Sequence, residues 1–260
     1  MRPSTVKNLL VVSGLDPSGG AGFLVDAWIA RNQGLRPVGA VSALTEQTTM
    51  GVRAVHSPGA ELIAAQLGAL LSDVEVAAGK IGLVADEQCV AAIADPLALT
   101  GAPLVWDPVL FAGGGGTPLY HGDVRRAFEI LAPHLALVTP NLVEAEGLVE
   151  FVVDSVAAMR RAAEHIAGRG VACLVTGGHL GGDRLVDILC PSGGAPIEIE
   201  RVRIADGENV HGTGCALSTA IACRLAHGDG LEDACRTAGD FVRSCLEHAV
   251  HAGRGGPSIL

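Results

Sequence analysis

The sequence predicts an α/β protein built around one largely parallel β-sheet. Short apolar runs rich in β-branched residues alternate along the chain with helical segments, an order typical of parallel sheets with right-handed crossovers. Of the 260 residues, 49% are hydrophobic but only 3% are aromatic, so aliphatic side chains fill the core. No repeat, linker or break in composition divides the chain, and we therefore expect a single domain over residues 1–260.

The predicted elements follow one another in regular order. Apolar runs bounded by turn residues predict strands at 8–13, 36–44, 74–81, 103–106, 136–139 and 171–176. Apolar residues at helical spacing predict helices that begin near residue 21 and then cover 58–71, 87–99, 122–131, 155–169, 213–226 and 231–250. Two further strands, 185–189 and 196–204, flank a turn and predict an antiparallel edge of the sheet.

Charge and cysteine content restrict the classes of function. A formal net charge of −10 argues against general nucleic-acid binding, which needs Lys and Arg to neutralise phosphates, and favours a small-molecule partner. The seven cysteines show neither a C-x-x-C pair nor zinc-ligand spacing, which indicates free thiols in a reducing cytoplasm. No apolar run reaches the roughly 18 residues that a membrane span needs, so we expect a soluble cytoplasmic protein without a membrane or nucleic-acid partner.

One basic residue stands out from the rest. Only two of the 18 Lys and Arg residues are lysines, and Lys80 lies among small apolar residues at the end of a predicted strand. Because a buried ammonium group is costly unless a negative charge compensates it, we expect an anionic partner for Lys80.

Polar residues follow the predicted strands, where parallel sheets bind ligands. Gln47, in a polar loop after the second strand, would read a small polar ring or simply face solvent. Asp107 would organise a magnesium water shell or cap a turn before proline. Asn141 and Glu144 have capping-box spacing, with metal binding as the alternative. The glycines at 113–116 form a flexible flap or a slack surface loop.

The segment 209–218 has the features of a phosphate site. Gly212 and Gly214 flank a threonine immediately before an alanine-rich helix. Glycine lets the backbone approach an anion closely, and a helix start supplies unpaired N–H groups and a positive dipole end. An ordinary glycine-rich turn with a threonine cap is the alternative.

Taken together and in order, these segments resemble the hydroxymethylpyrimidine/phosphomethylpyrimidine kinases of thiamine biosynthesis. The resemblance covers residues 9–246 and is carried by the motifs at 14–22 with Asp26, 43–47, 80–83, 107–109, 139–144, 177–179 and 211–215. It implies the three-layer α/β/α sandwich of the ribokinase-like superfamily, with the active site along the strand ends. It also implies ATP and Mg²⁺ as cofactors and a homodimer as the assembly.

The resemblance further implies individual roles. The residues that would hold the aminopyrimidine are Gly14, Ala21, Asp26, Gln47, Leu83 and Val109. The residues that would form the anion hole for the transferring phosphoryl group are Gly212, Thr213, Gly214 and Cys215. A thiolate at a helix N-terminus has a lowered pKa, so Cys215 would accept the proton of the substrate hydroxyl, with plain packing as the alternative.

The remaining implied roles concern ATP and the metal. The residues that would contact ATP are Thr176, Gly178, Thr213 and Arg243. The residues that would organise Mg²⁺ through water are Asp107, Asn141 and Glu144.

The chain also departs from the family pattern. The family usually has lysines at Thr176, in the loop at 113–116 and often in the last helix, where Arg243 stands; the methionine common at Leu83 is absent too. Each missing charge-assisted hydrogen bond to a phosphate costs roughly 1.5–3 kcal/mol, which weakens ATP binding or a second phosphorylation unless Arg243 compensates. Two alternatives therefore stay open: a pyridoxal-type vitamin kinase, disfavoured by Ala216 where such enzymes often have a second cysteine, and a catalytically impaired pyrimidine-binding protein.

Overall fold

The computed structural model describes residues 6–114, 116–205 and 207–259. The strands, numbered in chain order, are β1 (Asn8–Leu15), β2 (Arg36–Thr48), β3 (Gly51–His56), β4 (Ala78–Ile81), β5 (Leu104–Trp106), β6 (Leu137–Val138), β7 (Ala172–Val175), β8 (Arg184–Cys190) and β9 (Ile197–Val202). The α-helices are α1 (Gly22–Asn32), α2 (Ala60–Leu71), α3 (Glu87–Ala98), α4 (Val124–Leu131), α5 (Leu142–Val149), α6 (Val156–Ala167), α7 (Thr213–His227) and α8 (Leu231–Leu246).

All nine strands belong to one sheet, in the order β3-β2-β1-β4-β5-β6-β7-β8-β9. The six strands from β2 to β7 in that order pair in parallel. Strands β8 and β9 are antiparallel, which confirms the predicted antiparallel edge. The parallel part confirms the fold class read from the alternating elements.

The opposite edge of the sheet differs from the prediction. Residues 45–51 were expected to form a polar loop, but β2 continues to Thr48 and pairs with β3 in an antiparallel hairpin. This hairpin has few fully buried side chains, and its polar residues therefore concealed a strand. An antiparallel strand tolerates such a composition because one of its faces can remain in water.

Helices cover both faces of the sheet and complete a three-layer α/β/α sandwich. Along β1, the side chains of Leu10 and Val12 join the core shared with α2 to α6. The alternate residues Leu9 and Val11 join the core shared with α1, α7 and α8. A strand buried on both faces must be apolar at every position, which is why these strands read as continuous apolar runs.

Lys80 of β4 forms a fully buried ion pair with Asp26 of α1, which confirms its predicted anionic partner. Its Nζ lies 2.9 and 3.0 Å from the two carboxylate oxygens. The hydroxyls of Ser13 and Thr219 also donate to Asp26, both at 2.6 Å. Burial opposes the charge of Lys80, but the adjacent Asp26 carboxylate raises the pKa of Lys80 above its ordinary value. This cluster joins the interior strands β1 and β4 to the helices α1 and α7.

All seven cysteines are free thiols, as the sequence predicted. Within the described ranges, no helix has the length and hydropathy needed to cross a membrane.

Candidate active site

A cavity of about 410 Å³ opens at the carboxyl ends of the parallel strands. Residues that end or follow β1, β4, β5, β6 and β7 contribute to its lining: Gly14, Leu83, Asp107, Thr139 and Thr176. The remaining residues singled out from the sequence that also line it are Ala21, Gln47, Val109, Asn141, Glu144, Gly178, Gly212, Thr213, Gly214, Cys215 and Arg243. Residues far apart in the chain are thus brought together around one space.

Asp26 is the exception: contrary to the predicted contact with a ligand, it does not line the cavity. Its side chain is completely buried and is absent from the cavity lining. Both carboxylate oxygens are occupied by Lys80, Ser13 and Thr219. Asp26 therefore holds Lys80, Ser13 and Thr219 together and does not contact what enters the cavity.

The predicted phosphate segment forms a left-handed turn that leads into α7. Gly212 is the N-terminal cap, with φ 90° and ψ 2°, a conformation that side chains other than glycine rarely adopt. A Cβ atom at this position would also overlap the carbonyl oxygen of Gly20. Since the first N–H groups of a helix have no partner within it, this turn presents donors and a positive dipole end to the cavity.

Cys215 lies in the first turn of α7 and is partly buried. Burial raises the pKa of its thiol to about 12, and the carboxylates of Asp26 and Asp107 act in the same direction. The charge of Lys80 and a hydrogen bond from the Gly22 backbone N–H lower the pKa by less. The predicted lowered pKa is therefore wrong for the ligand-free protein, because burial outweighs the helix terminus.

Gln47 lies at the opposite end of the cavity from the last helix. The pairing of β2 with β3 shifts register between Glu46 and Gln47, an irregularity of the kind that re-aims a side chain next to a site. One end of the Gln47 amide lies 3.1 Å from Thr45 Oγ1, and the other end lies 3.1 Å from Nε2 of His211. Of the two alternatives read from the sequence, the geometry favours a group aimed at a ligand.

Asp107 and Glu144 form an acidic pair in the cavity wall. Asn141 and Glu144 make the predicted capping box at the start of α5, and Glu144 also accepts the backbone N–H of Asn141 at 2.9 Å. Ser218 donates to Asp107 at 3.1 Å. Burial, and then the charge of Asp107, raise the pKa of Glu144 well above its ordinary value. Two buried carboxylates that repel each other in this way are a natural site for a cation.

The donor set suits magnesium. The described residues contain no cluster of three or more His, Cys, Asp and Glu side chains arranged to hold a metal ion. Mg²⁺ does not require such a cluster, because it keeps several waters and usually takes one or two carboxylates together with substrate phosphates. The side-chain oxygens of Asp107, Asn141 and Glu144 match that requirement.

Two arginines that sequence reasoning missed line the far end of the cavity. Arg201 pairs with the buried Asp187 at 2.8 Å. Arg203 donates to backbone carbonyls of the loop after β7, including that of Gly178 at 2.7 Å. Arg243 lies at the same end, where it makes a 3.6 Å ion pair with Glu247. Although the family lysines are missing, three guanidinium groups line this end of the cavity, and two of them are paired with carboxylates. The sequence pattern that could have revealed Arg201 and Arg203 is their period-two spacing, which places both side chains on one face along and just beyond β9.

The glycine-rich loop contributes in part to the cavity. Residues Ala112–Gly114 form a 3₁₀ turn, and Ala112 and Gly113 line the cavity. Gly115 of the predicted flap lies outside the described residues.

The chain is similar in sequence and in fold to known kinases. Residues 16–259 match the family model described as phosphomethylpyrimidine kinase. A hydroxymethylpyrimidine/phosphomethylpyrimidine kinase of Rhizobium meliloti is 38% identical, over 95% of this chain and 94% of its own. The phosphomethylpyrimidine kinase structure from Clostridium difficile is 29% identical with a TM-score of 0.77, covering 93% of this chain and all of its own. An ADP complex of Bacillus subtilis pyridoxal kinase is 25% identical with a TM-score of 0.86, covering 98% and 97%.

Proposed function

This chain belongs to the phosphomethylpyrimidine kinase family, and from that premise we propose that it transfers the terminal phosphoryl group of ATP to 4-amino-5-hydroxymethyl-2-methylpyrimidine in thiamine biosynthesis. The observation that carries the proposal is one cavity into which an amide suited to a polar ring, a glycine-lined helix start and an arginine-lined far end all face. Phosphoryl transfer asks mainly for such positioning and charge stabilisation.

The substrate would lie between the Gln47 end of the cavity and α7. Gly14 and Ala21 offer backbone groups, Gln47 offers an amide, and the side chains of Leu83 and Val109 offer apolar surface for the ring. A Cβ atom at Gly14 would lie 2.9 Å from Cδ2 of Leu83, so the Leu83 side chain would have to shift.

The transferring group would sit at the turn formed by Gly212, Thr213, Gly214 and Cys215. Backbone N–H groups here stabilise negative charge that develops on the phosphoryl oxygens. Cys215 is a neutral thiol in the ligand-free protein because its pKa is about 12. As a proton acceptor it would act only after bound ligands change its surroundings, and Lys80 is the fixed charge that favours its thiolate.

ATP would extend from this turn to the arginine-lined far end of the cavity. Thr176, Gly178 and Thr213 provide hydroxyl and backbone groups, and Arg243 provides charge. Mg²⁺ would be held through water by Asp107, Asn141 and Glu144, where it would neutralise phosphate charge. The arginines Arg201 and Arg203 weigh against the alternative of a catalytically impaired binding protein.

A pyridoxal-type kinase remains the second candidate, since a pyridoxal kinase shares this fold at a TM-score of 0.86. Ala216, where such enzymes often have a second cysteine, favours the pyrimidine. The same cavity would also have to admit the monophosphate if the enzyme continues to the diphosphate.

An ADP-release assay with each alcohol in turn tests the proposal. We expect turnover with the aminopyrimidine that exceeds turnover with pyridoxal and that is lost in Cys215→Ala. A preference for pyridoxal would instead favour the second candidate. Binding of the pyrimidine without product would favour the impaired binding protein.

We also propose that the 260 residues act as one cytoplasmic domain that forms a homodimer. The hairpin edge of the sheet supports this assembly, because Leu44 and Met50 are large apolar residues exposed by 42% and 73%. Light scattering of the purified protein would give twice the chain mass if the proposal is correct and the chain mass if it is not.

A further inference from the structure

The wall around Gln47 contains a chain of polar contacts that the roles above do not use. Asp16 is 3% exposed, and its Oδ1 accepts the backbone N–H and the hydroxyl of Ser18 at 2.8 and 2.7 Å. Its Oδ2 lies 3.2 Å from Nε2 of His211, the same ring nitrogen that lies 3.1 Å from the amide of Gln47. The other end of that amide lies 3.1 Å from the hydroxyl of Thr45.

Counting protons fixes the state of the His211 ring. An ionised carboxylate only accepts hydrogen bonds, and a buried carboxylate oxygen facing a nitrogen lone pair would be costly. Nε2 of His211 therefore carries a hydrogen and donates it to Asp16. Burial raises the pKa of Asp16, but hydrogen bonds from His211 and Ser18 outweigh it and hold that pKa below its ordinary value. A ring nitrogen in this state has no lone pair to accept a hydrogen from Gln47.

The hydroxyl of Thr45 is compatible with this direction of the amide. Its one hydrogen has two groups within reach, the carbonyl oxygen of Leu15 at 3.0 Å and the near end of the Gln47 amide at 3.1 Å. When that hydrogen goes to Leu15, the hydroxyl accepts from Gln47. The two ends of an amide are told apart by their hydrogen-bond partners, and here His211 requires Oε1 on its own side, which leaves Nε2 to donate to Thr45.

We propose that Asp16, His211 and Thr45 fix the direction of the Gln47 amide and thereby select an aminopyrimidine ring; this rests on the proposed function. An amide held in one direction offers an acceptor and a donor side by side. That pair reads an amino group next to a ring nitrogen, as glutamine and asparagine read adenine. The amino group donates to Oε1 and the ring nitrogen accepts from Nε2.

The direction of the amide also determines where the reacting group lies. In this pyrimidine, the carbon that bears the hydroxymethyl group adjoins the carbon that bears the amino group. Because the amino group binds on the His211 side, the hydroxymethyl group lies on that side too, towards Gly212 and Cys215. A reversed amide would turn the ring over and carry the hydroxyl away from α7. Asp16, His211 and Thr45 are thus positioning residues that act through Gln47.

The substitution Asp16→Asn tests this relay without changing the size of any side chain. The asparagine oxygen still accepts from Ser18, but its amide nitrogen now donates to His211 and moves the ring hydrogen to Nδ1. Nε2 of the ring then accepts from the Gln47 nitrogen, and the amide reverses so that its oxygen faces the Thr45 hydroxyl. We expect KM for the aminopyrimidine to rise about tenfold or more, equivalent to about 1.4 kcal/mol, with KM for ATP within about twofold of wild type.

Two comparisons separate this role from a structural one. Glu46→Gln is the matched control, because Glu46 faces His56 at 2.8 Å outside the cavity lining, and it should behave like wild type. Gln47→Ala should raise KM strongly in the wild type but add little in the Asp16→Asn background. The proposal is overturned if Asp16→Asn matches Glu46→Gln, or if the effects of Asp16→Asn and Gln47→Ala multiply.

A measurement without turnover keeps the two proposals distinguishable. Long-range ¹H–¹⁵N NMR of the ligand-free protein should show a protonated Nε2 on His211, and Asp16→Asn should move that proton to Nδ1. A wild-type ring with bare Nε2 would refute the relay. If the wild type fails to phosphorylate the aminopyrimidine, the proposed function fails, while the NMR result still decides the relay.

Discussion

The protonation state of Cys215 is set by its burial. A helix N-terminus lowers a thiol pKa, but desolvation is larger here and raises the pKa of Cys215 to about 12. Any mechanism in which this residue accepts a proton must therefore begin from the neutral thiol.

Alkylation kinetics test this directly. The thiolate is the nucleophile, so the rate at which iodoacetamide modifies Cys215 should keep rising about tenfold per pH unit from pH 7 to about pH 10. A free cysteine control levels off above about pH 8.5. Peptide mass spectrometry measures both rates, and a plateau for Cys215 near neutral pH would contradict the raised pKa.

The buried Lys80–Asp26 pair should contribute to stability more than to substrate contact. Removing one partner with Asp26→Asn leaves Lys80 charged and uncompensated, and we expect the free energy of unfolding to fall by about 3–5 kcal/mol. Replacing both residues, with Asp26→Leu and Lys80→Met together, should recover part of that loss. Urea denaturation measures each variant, and a loss below about 1 kcal/mol for Asp26→Asn would refute the interpretation.

Some residue roles followed from the sequence and others did not. The anionic partner of Lys80 could be predicted, because any buried ammonium needs one. The position of Asp26 beneath the cavity could not, because it depends on the rotation of α1 against β4. The role of Asp16 was equally hidden, since its loop read only as a turn and its partner His211 lies 195 residues away.

At the level of elements, the start of α7 is the part on which catalysis depends most. Gly212→Ala forces a side chain into a positive-φ conformation and against the Gly20 carbonyl, so the turn must move. We expect kcat/KM to fall about 100-fold or more, since misplacing a reacting group by about 1 Å has that effect.

The other end of the same helix provides a control for this prediction. Gly228 has φ 100°, but a Cβ there meets nothing within 4 Å. Gly228→Ala should lower stability by about 1 kcal/mol and leave kcat/KM unchanged. Equal kinetic effects of the two variants would show that backbone strain, and not the shape of the anion turn, controls the rate.

The acidic pair formed by Asp107, which follows β5, and Glu144, in the first turn of α5, should control the metal requirement. Glu144→Gln keeps an oxygen that accepts the Asn141 backbone N–H but removes one negative charge from the acidic pair. We expect the Mg²⁺ concentration for half-maximal activity to rise about tenfold, with little change in melting temperature. An unchanged Mg²⁺ dependence would contradict the role given to this pair.

Element prediction succeeded where periodicity reflects burial. The parallel strands read correctly because both of their faces are apolar, and the capping box of α5 was visible in the spacing of Asn141 and Glu144. Strand β3 was missed because an edge hairpin can remain polar. Arg201 and Arg203 were missed because they reach the cavity from the antiparallel edge of the sheet. Ligands were expected at the ends of the parallel strands instead.

At the level of the whole molecule, the scaffold does not by itself specify the substrate. A pyridoxal kinase shares this fold at a TM-score of 0.86, so specificity must come from side chains that line the cavity. Much of the cavity lining lies on segments that follow the carboxyl ends of the parallel strands, which lets the lining vary while the core stays constant.

The most direct test of the account follows the phosphoryl group itself. The protein would be incubated with Mg²⁺, the aminopyrimidine and ATP labelled with ¹⁸O in its terminal phosphoryl group, and the products resolved by mass spectrometry. We predict a pyrimidine monophosphate that carries the full label, in an amount equal to the ADP released. ADP accompanied only by labelled inorganic phosphate, or label transferred to pyridoxal but not to the pyrimidine, would contradict the account.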